Sequence, residues 1–180
     1  MKKVLMLVTD GVEEIEALSA RDCFIRAGLE VEMMGIDDRY EILSSHKLLI
    51  KVVPFHQGYE HFDCLYIPGG KLGVQNLDNF ILLDEVIKAF LEGQKLVASI
   101  CAGPSLLGKR GYLKEKKFTC YPGWEVGYEG IYKGTETCKD GNILTGRSMY
   151  FTNDFAILVI QELLGEEVAL RIKNQIQGIK

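Results

Sequence analysis

One cysteine of the chain stands at a position suited to a nucleophile. Cys101 follows the apolar segment 96–100 and precedes the small residues Ala102 and Gly103. A strand that passes through a tight turn into a helix is the layout of a nucleophile elbow, with cysteine where hydrolases carry serine. Helix N–H groups and the helix dipole would favour the thiolate there and lower its pKa. The alternative is a buried thiol ending a core strand, because cysteine is among the most buried residue types.

A second segment could supply hydrogen-bond donors for an oxyanion. Pro68, Gly69 and Gly70 follow the apolar segment 65–67. The backbone N–H groups of this segment, together with that of Ala102, could bind the negative charge that develops on a carbonyl oxygen. Taken alone, a Pro-Gly-Gly run is more typical of an ordinary turn.

Glu16 is the candidate acid–base group. It falls in a helix predicted over residues 12–27, on the side opposite Glu14 and close to an apolar stripe that contains Ala20. A carboxyl that points from this stripe into the fold would have a raised pKa and could hold a proton near neutral pH. Beside a thiolate it could donate a hydrogen bond or act as general acid and base. A solvated helix glutamate is the alternative and the commoner outcome.

Strands and helices alternate along the chain and would position these residues. We predict core strands over residues 4–8, 31–36, 65–67, 96–100 and 143–145. We predict helices over residues 12–27, 81–91, 103–109, 153–164 (with Asn153 as N-cap) and 166–175. Residues 42–53 are predicted to be extended, and residues 118–142 to form short strands and loops. This order favours an α/β fold, a mostly parallel sheet with helices on both faces, whose ligands bind at the carboxyl ends of the strands.

Composition excludes several functional classes. The 180 residues predict a single domain spanning 1–180. With a net charge of -4, the chain lacks the basic surface of a nucleic-acid binder. No apolar run approaches the roughly 20 residues of a membrane span. The five cysteines are odd in number, contain no C-x-x-C pair and follow no secretory signal, which argues against a disulfide framework or zinc site and predicts a cytoplasmic protein.

Three segments in register resemble the signature segments of the ThiJ/PfpI superfamily. They are residues 11–16 (GVEEIE), 65–70 (LYIPGG) and 98–104 (ASICAGP). Residues 72–77 (LGVQNL) and 140–147 (DGNILTGR) are similar to the branch that contains the parkinsonism-associated deglycase and its bacterial relatives. The resemblance covers nearly the whole chain, in order and with little gap.

The resemblance implies a fold, an assembly and a set of site residues. The fold would be a flavodoxin-like, doubly wound sandwich of the class I glutamine-amidotransferase type, and the assembly a homodimer. Cys101 would be the nucleophile, Glu16 would hydrogen-bond to its thiolate, and the Gly70 and Ala102 N–H groups would form the oxyanion hole, with no metal and no cofactor. Ala102 stands where the protease branch has a histidine, which argues against a Cys–His peptidase.

The substrate pocket carries further departures from the family. Tyr121 stands where the deglycase has a histidine, and residues 148–151 (SMYF) replace a stretch of small residues. With Gly69, Tyr121 and Tyr150 assigned to the pocket, we predict a narrow site that favours small aldehydes over glycated protein side chains.

Two functions from different classes use these same residues. In the first, an enzyme, the Cys101 thiolate attacks a small 2-oxoaldehyde such as methylglyoxal, and Glu16 moves protons until water releases a hydroxy acid. This is the glyoxalase or deglycase activity that the resemblance implies. In the second, a stress protein without turnover, Cys101 is a redox sensor that is oxidised to sulfenic and sulfinic acid. The sequence favours the enzyme but does not separate the two.

Overall fold

The chain forms eleven strands and six helices over residues 1–179, which are the residues that this computed structural model describes. The strands are β1 (Lys3–Val8), β2 (Glu30–Gly35), β3 (Glu41–Leu43), β4 (Leu49–Lys51), β5 (Val53–Pro54), β6 (Cys64–Ile67), β7 (Leu96–Ile100), β8 (Lys117–Phe118), β9 (Ile131–Tyr132), β10 (Thr137–Asp140) and β11 (Ile143–Gly146). The helices are α1 (Glu14–Arg26), α2 (Lys71–Asp78), α3 (Leu83–Glu92), α4 (Pro104–Lys109), α5 (Thr152–Leu164) and α6 (Glu166–Gln177).

Seven of the strands form one sheet in the order β10-β11-β7-β6-β1-β2-β5. All neighbours pair in parallel except the edge strand β10, which runs antiparallel to β11. The hairpin β3–β4 and the pair β8–β9 lie outside this sheet. The predicted flavodoxin-like α/β fold is therefore confirmed, and every predicted core strand and helix lies within two residues of its observed bounds.

Helices cover both faces of the sheet because its central strands are apolar on both sides. In β1, Val4, Met6 and Val8 face one core with α1, α5 and α6, whereas Leu5 and Leu7 face a second core with α2, α3 and α4. All five residues are fully buried. Such a continuous apolar run is typical of a parallel strand covered on both sides. Within residues 1–179, no helix is both long and apolar enough to cross a membrane.

Helix α2 is the element that the sequence did not predict. A glycine in its first turn, Gly73, lowers helix propensity and obscures the pattern. The structure gives the reason for this glycine: a Cβ at position 73 would lie 3.0 Å from the carbonyl oxygen of Gly11. Close packing of α2 on the loop between β1 and α1 therefore requires the residue that weakens the helix signal.

The prediction of Asn153 as the N-cap of α5 is wrong. A 3₁₀ turn over Met149–Phe151 precedes the helix, which begins at Thr152. The Thr152 hydroxyl donates to the carbonyl oxygen of Met149 at 2.7 Å. Asn153 therefore lies inside the first turn, where its Oδ1 faces the thiol of Cys23 on α1 at 3.9 Å.

A buried tyrosine joins the sheet to α1 at the level of Glu16, and its loss should be measurable. Tyr66 on β6 is fully buried, and its hydroxyl donates to the Glu16 carbonyl oxygen at 3.0 Å. Tyr66→Phe keeps the ring but leaves that oxygen without this donor, so we expect urea unfolding to show a loss of about 1–2 kcal/mol. Tyr40→Phe, at a tyrosine that is 73% exposed, is the matched control. Equal stability of the two variants would contradict the structural role of the Tyr66 hydroxyl.

Candidate active site

The backbone at Cys101 has the geometry of a nucleophile elbow. Cys101 directly follows β7 and has a φ of +63°, in the left-handed region that non-glycine residues rarely occupy. Its N–H donates to the Gly146 carbonyl oxygen at 2.9 Å, and its own carbonyl oxygen accepts from the Tyr121 N–H at 2.8 Å. Three residues later, Pro104 begins α4. The turn therefore presents the thiol at the carboxyl edge of the sheet.

Glu16 reaches the same edge from α1. The residue is fully buried beside Ala17, Ala20 and Phe24, on the apolar stripe identified in the sequence. The Gly69 N–H donates to its Oε2 at 2.7 Å. Its Oε1 is buried and accepts no hydrogen bond from any residue in the range 1–179. A buried carboxyl oxygen without a partner is an acceptor available to a ligand or to a thiol.

Gly69 brings the carboxyl and the thiol together because it has no side chain. A Cβ at this position would lie 2.6 Å from Glu16 Oε2, 2.8 Å from Cys101 Cβ and 3.2 Å from the Ala102 nitrogen. Any larger residue would push apart the three groups that the proposed chemistry needs. Gly69 thus lies beneath the site and supports it, whereas the sequence placed it at the pocket.

Two backbone N–H groups are free to bind an oxyanion. Neither the Gly70 nor the Ala102 N–H donates to an oxygen of residues 1–179. Gly70 has a φ of +94°, and a Cβ there would collide with the carbonyl oxygen of Gly11. This glycine is needed to turn the chain from β6 into α2. Both N–H groups border the cavity that contains Cys101, where the sequence expected them.

A cavity of about 380 Å³ contains these groups. Its floor is formed by Glu16, Cys101, Gly70 and Ala102, and the remaining lining residues are Glu13, Lys71, Tyr121, Trp124, Ser148, Met149 and Tyr150. A larger surface cavity, of about 730 Å³, lies beside the β3–β4 hairpin and is lined by no cysteine, serine or histidine. The Cys101 cavity is therefore the candidate active site.

The pocket is wider than the sequence predicted. Tyr121 and Tyr150 do border it, but their side chains lie at its rim: Tyr150 is 84% exposed and Tyr121 is 49% exposed. Met149 and Tyr150, in the 3₁₀ turn over Met149–Phe151, are exposed and border the opening without closing it. Size alone therefore does not restrict the site to the smallest aldehydes.

Burial controls the ionisation of Glu16. The pKa of this carboxyl is raised from 4.5 to about 7, chiefly by desolvation and to a smaller extent by the nearby charge of Glu13. The adjacent Cys101 thiol and the Gly69 N–H, which donates to Oε2, act in the opposite direction. A carboxyl with a pKa near 7 can both accept and donate a proton at neutral pH.

The expectation of a lowered thiol pKa at Cys101 is wrong. Burial raises the pKa of this thiol, and the charge of Glu16 raises it further, whereas the Ala102 N–H lowers it. Helix α4 is only six residues long, and a single N–H acts on the sulfur against desolvation and a neighbouring carboxylate. After the Cys101–Glu16 pair has lost one of its two protons, Cys101 is a thiolate only while the remaining proton lies on Glu16. The two groups therefore titrate together.

The other cysteines lie outside the candidate active site. Cys23, Cys64 and Cys120 are buried, and Cys138 is partly exposed on β10. Burial raises the pKa of each, and the charge of Asp140 adds to this effect at Cys138. Cys101 is the only cysteine among residues 1–179 that borders the candidate active site.

Sequence reasoning missed a polar cluster at the rim of the site. The ligand-type atoms of Glu13, Glu14 and His46 lie within 4.8 Å of one another, the one such group in residues 1–179. His46 Nδ1 contacts Glu14 Oε1 at 2.8 Å, and the Ser45 hydroxyl lies 2.9 Å from Glu14 Oε2. Hydrogen bonding lowers the pKa of Glu14 to about 2. His46 is 32 positions from Glu14 and 33 from Glu13 in the sequence, so only the fold brings the cluster together.

Comparison with known proteins agrees with the class that the geometry defines, a flavodoxin-like domain with a cysteine elbow. The DJ-1/PfpI family matches residues 2–162, and the chain belongs to this family. It is 34% identical to the Parkinson disease protein 7 homolog of Danio rerio, over 96% of this chain and 95% of that one.

Two solved structures show the same similarity. A cysteine-to-alanine mutant of a DJ-1 superfamily protein from Salmonella typhimurium superposes with a TM-score of 0.92 at 26% identity, over the whole of both chains. Toxoplasma gondii DJ-1, in an oxidised form, has a TM-score of 0.91 at 30% identity, over 98% of each chain.

Alkylation should identify Cys101 as the most reactive thiol. It borders an open cavity, and the first proton leaves its pair with Glu16 near pH 7. We expect iodoacetamide, followed by mass spectrometry, to label Cys101 before the other four cysteines, with a rate that rises through pH 7. Cys138→Ser, at the other partly exposed cysteine, should leave that rate unchanged. Faster labelling of Cys138 below neutral pH would overturn the assignment of the elbow.

The pKa of Glu16 should make stability depend on pH. Because the folded state holds this proton more tightly than the unfolded chain, the contribution is fully present below pH 4.5 and is lost as the pH rises through 7. Raising the pKa from 4.5 to about 7 corresponds to roughly 3 kcal/mol. Glu16→Gln has no such titration. The free energy of unfolding of this variant, relative to that of the wild type, should therefore rise by up to that amount between pH 4.5 and 8. A constant difference across this window would mean that Glu16 is not buried as described.

Proposed function

We propose that this protein is a cysteine-dependent enzyme that converts 2-oxoaldehydes to 2-hydroxy acids without a metal or cofactor. The observation that carries the proposal is the convergence of four groups on one cavity. These are the Cys101 thiol, the buried Glu16 carboxyl with its unpartnered oxygen, and the free N–H groups of Gly70 and Ala102. A nucleophile, an acid–base group and oxyanion donors are the set that addition to a carbonyl requires.

The first step is addition of Cys101 to the aldehyde. The sulfur forms a bond to the aldehyde carbon, and the electron pair of the carbonyl moves to its oxygen. The Gly70 and Ala102 N–H groups stabilise the developing negative charge. Glu16, which holds the proton when Cys101 is a thiolate, donates it to that oxygen and completes a hemithioacetal.

The second step is an internal redox exchange within the bound substrate. Glu16, now a carboxylate, removes the proton from the former aldehyde carbon, and the resulting enediol is protonated at the neighbouring carbon. The first carbon is thereby oxidised to a thioester and the second is reduced to an alcohol. Water then cleaves the carbon–sulfur bond, which releases the 2-hydroxy acid and the Cys101 thiol. One water is consumed, and no external oxidant or reductant is needed.

A homodimer stays a prediction of the family resemblance, and one surface supports it. Ile15, Leu43, Leu48 and Leu49 are between 37% and 59% exposed on α1 and the β3–β4 hairpin. The hairpin lies against the start of α1, because the Gly11 N–H donates to the Leu43 carbonyl oxygen at 2.8 Å. Burial of these apolar side chains against a second copy would remove them from water.

An assay with methylglyoxal tests the proposed reaction. We expect slow formation of lactate in the presence of a chelator and without glutathione, because the mechanism needs neither a metal nor a thiol cosubstrate. Cys101→Ser should lower kcat/KM by about a hundredfold or more, since an alcohol is a far weaker nucleophile without an adjacent base. Glu16→Gln should keep the fold and abolish turnover, because glutamine cannot exchange a proton. Activity of Cys101→Ser equal to that of the wild type would refute this chemistry.

Redox sensing by Cys101 is the second candidate function. A thiol in an open cavity beside a protonated carboxyl is a site for oxidation, and the similar Toxoplasma gondii protein is described as oxidised. The outcome that favours this function is lactate formation no faster than in buffer, together with rapid uptake of oxygen atoms at Cys101 from dilute peroxide. The Cys138→Ser variant again serves as the control for general thiol oxidation.

A further inference from the structure

Resting on the proposed function, we propose that the preferred substrates are neutral 2-oxoaldehydes that carry an aromatic group on the ketone carbon, such as arylglyoxals. The reacting dicarbonyl would lie at the floor of the cavity beside Cys101. The aromatic group would lie between two aromatic walls, one formed by Tyr121 and Trp124 and the other by Met149 and Tyr150.

The cavity is larger than a three-carbon aldehyde requires. At about 30 Å³ for each water molecule of the liquid, its volume of about 380 Å³ corresponds to roughly a dozen waters. This volume lies within the range of about 300–1,000 Å³ that holds drug-sized ligands. Methylglyoxal would leave most of the cavity filled with solvent, whereas a ring on the ketone carbon would displace that solvent from the walls.

The chemistry of the walls favours an aromatic occupant over other large groups. Three of the four wall side chains are aromatic rings, and the fourth is a thioether, which also makes favourable contacts with aromatic rings. Tyr121, Met149 and Tyr150 are each at least 47% exposed, so their surfaces are not used by the protein core. A planar ring loses less conformational entropy on contacting these side chains than a flexible polar chain would.

Both walls are tied to the reacting residue, so their distance from the sulfur is fixed by the fold. The Tyr121 backbone N–H donates to the Cys101 carbonyl oxygen at 2.8 Å. The Trp124 backbone N–H donates to the Tyr121 carbonyl oxygen at 3.0 Å. On the other side, Gly146 accepts from the Cys101 N–H at 2.9 Å, and the 3₁₀ turn that begins at Met149 follows shortly after it. A ring bound between the walls is therefore adjacent to the elbow that attacks the aldehyde.

The charges around the cavity argue against an anionic substrate. Lys71 and Glu13 both line it, and their formal charges cancel. Glu13 is held at the rim by the Ser45 hydroxyl, which lies 3.1 Å from its Oε2. When Glu16 is ionised, the net charge of the lining is negative. A carboxylate-bearing aldehyde such as glyoxylate would meet this charge, whereas a neutral arylglyoxal would not.

The test compares three 2-oxoaldehydes as substrates: phenylglyoxal, its anionic analogue 4-carboxyphenylglyoxal, and methylglyoxal. Each kcat/KM is divided by the equilibrium constant for hemithioacetal formation with N-acetylcysteine, which removes the intrinsic reactivity of the aldehyde. We expect phenylglyoxal, converted to mandelate, to exceed methylglyoxal by about tenfold, the size of effect that one aromatic contact provides. Equal normalised values for phenylglyoxal and methylglyoxal, or a higher value for 4-carboxyphenylglyoxal than for phenylglyoxal, would overturn the proposal and leave the proposed function intact.

Wall variants assign the preference to named side chains. Tyr150→Ala, at a residue that is 84% exposed, should reduce the ratio of phenylglyoxal to methylglyoxal without affecting folding. Trp124→Ala should reduce this ratio further, with far-ultraviolet circular dichroism as the check on its fold. Tyr40→Ala, at a tyrosine that is 73% exposed and outside this cavity, should leave the ratio unchanged. An unchanged ratio in both wall variants would overturn the assignment.

A binding measurement keeps the inference separate from turnover. Acetophenone and acetone differ in the aromatic ring and carry no aldehyde, so neither is converted. We expect acetophenone to protect Cys101 from iodoacetamide at a concentration at least tenfold lower than acetone does, and Tyr150→Ala to narrow that difference. If no aldehyde is turned over but this protection is found, the proposed function fails and the aromatic subsite stands. Equal protection by the two ketones would overturn the proposed aromatic subsite, whether or not any aldehyde is converted.

Discussion

The two hydrogen bonds made by the Cys101 peptide groups hold the candidate active site together. A positive φ at a non-glycine residue costs about 1–3 kcal/mol and persists only where the surroundings impose it. Here the Cys101 N–H is bound to Gly146 at the end of β11, and its carbonyl oxygen is bound to the Tyr121 N–H. The same bonds fix the sulfur above the sheet edge and anchor the two segments that wall the cavity. The contacts that hold the strained Cys101 backbone thus also determine the shape of the site.

Burial of Glu16 opposes stability and supports reactivity. A carboxyl in the core is destabilising when it is ionised, and its unpartnered Oε1 adds to that cost. The surrounding residues limit the cost: the Gly69 N–H binds one carboxyl oxygen, and the Tyr66 hydroxyl binds the backbone carbonyl of the same residue. The part of this cost that is not offset leaves the carboxyl with a pKa of about 7. The proposed chemistry uses this property, because the carboxyl then exchanges a proton at neutral pH. Burial of this one side chain therefore lowers the stability of the fold and provides the acid–base group of the site.

The sequence predicted the elements better than their contacts. The core strands and five of the helices follow from apolar patterns, which are local information. The stripe that contains Ala20 raised burial of Glu16 as one of two alternatives, and the structure confirms that alternative. Helix α2 was missed because Gly73 serves a tertiary contact and weakens the local signal. The width of the pocket and the raised thiol pKa at Cys101 depend on where chain segments distant in sequence meet, and no periodicity encodes that. The hydrogen bond from Tyr66 to Glu16 spans 50 positions and was missed for the same reason.

Access of water to the proton shared by Cys101 and Glu16 affects both candidate chemistries, aldehyde conversion and thiol oxidation. In the open cavity, water reaches Cys101 and Glu16, and so does a small oxidant such as peroxide. A substrate that fills the space between the walls expels this water, and further desolvation of Glu16 favours its protonated form. Desolvation raises the pKa of the Cys101 thiol as well, so attack on an adjacent aldehyde still requires the shared proton to move from the sulfur to the carboxyl. The same exclusion of water strengthens the Gly70 and Ala102 N–H contacts to the developing oxyanion. An occupant that fits the walls would therefore promote attack by Cys101 and also shield it from oxidation.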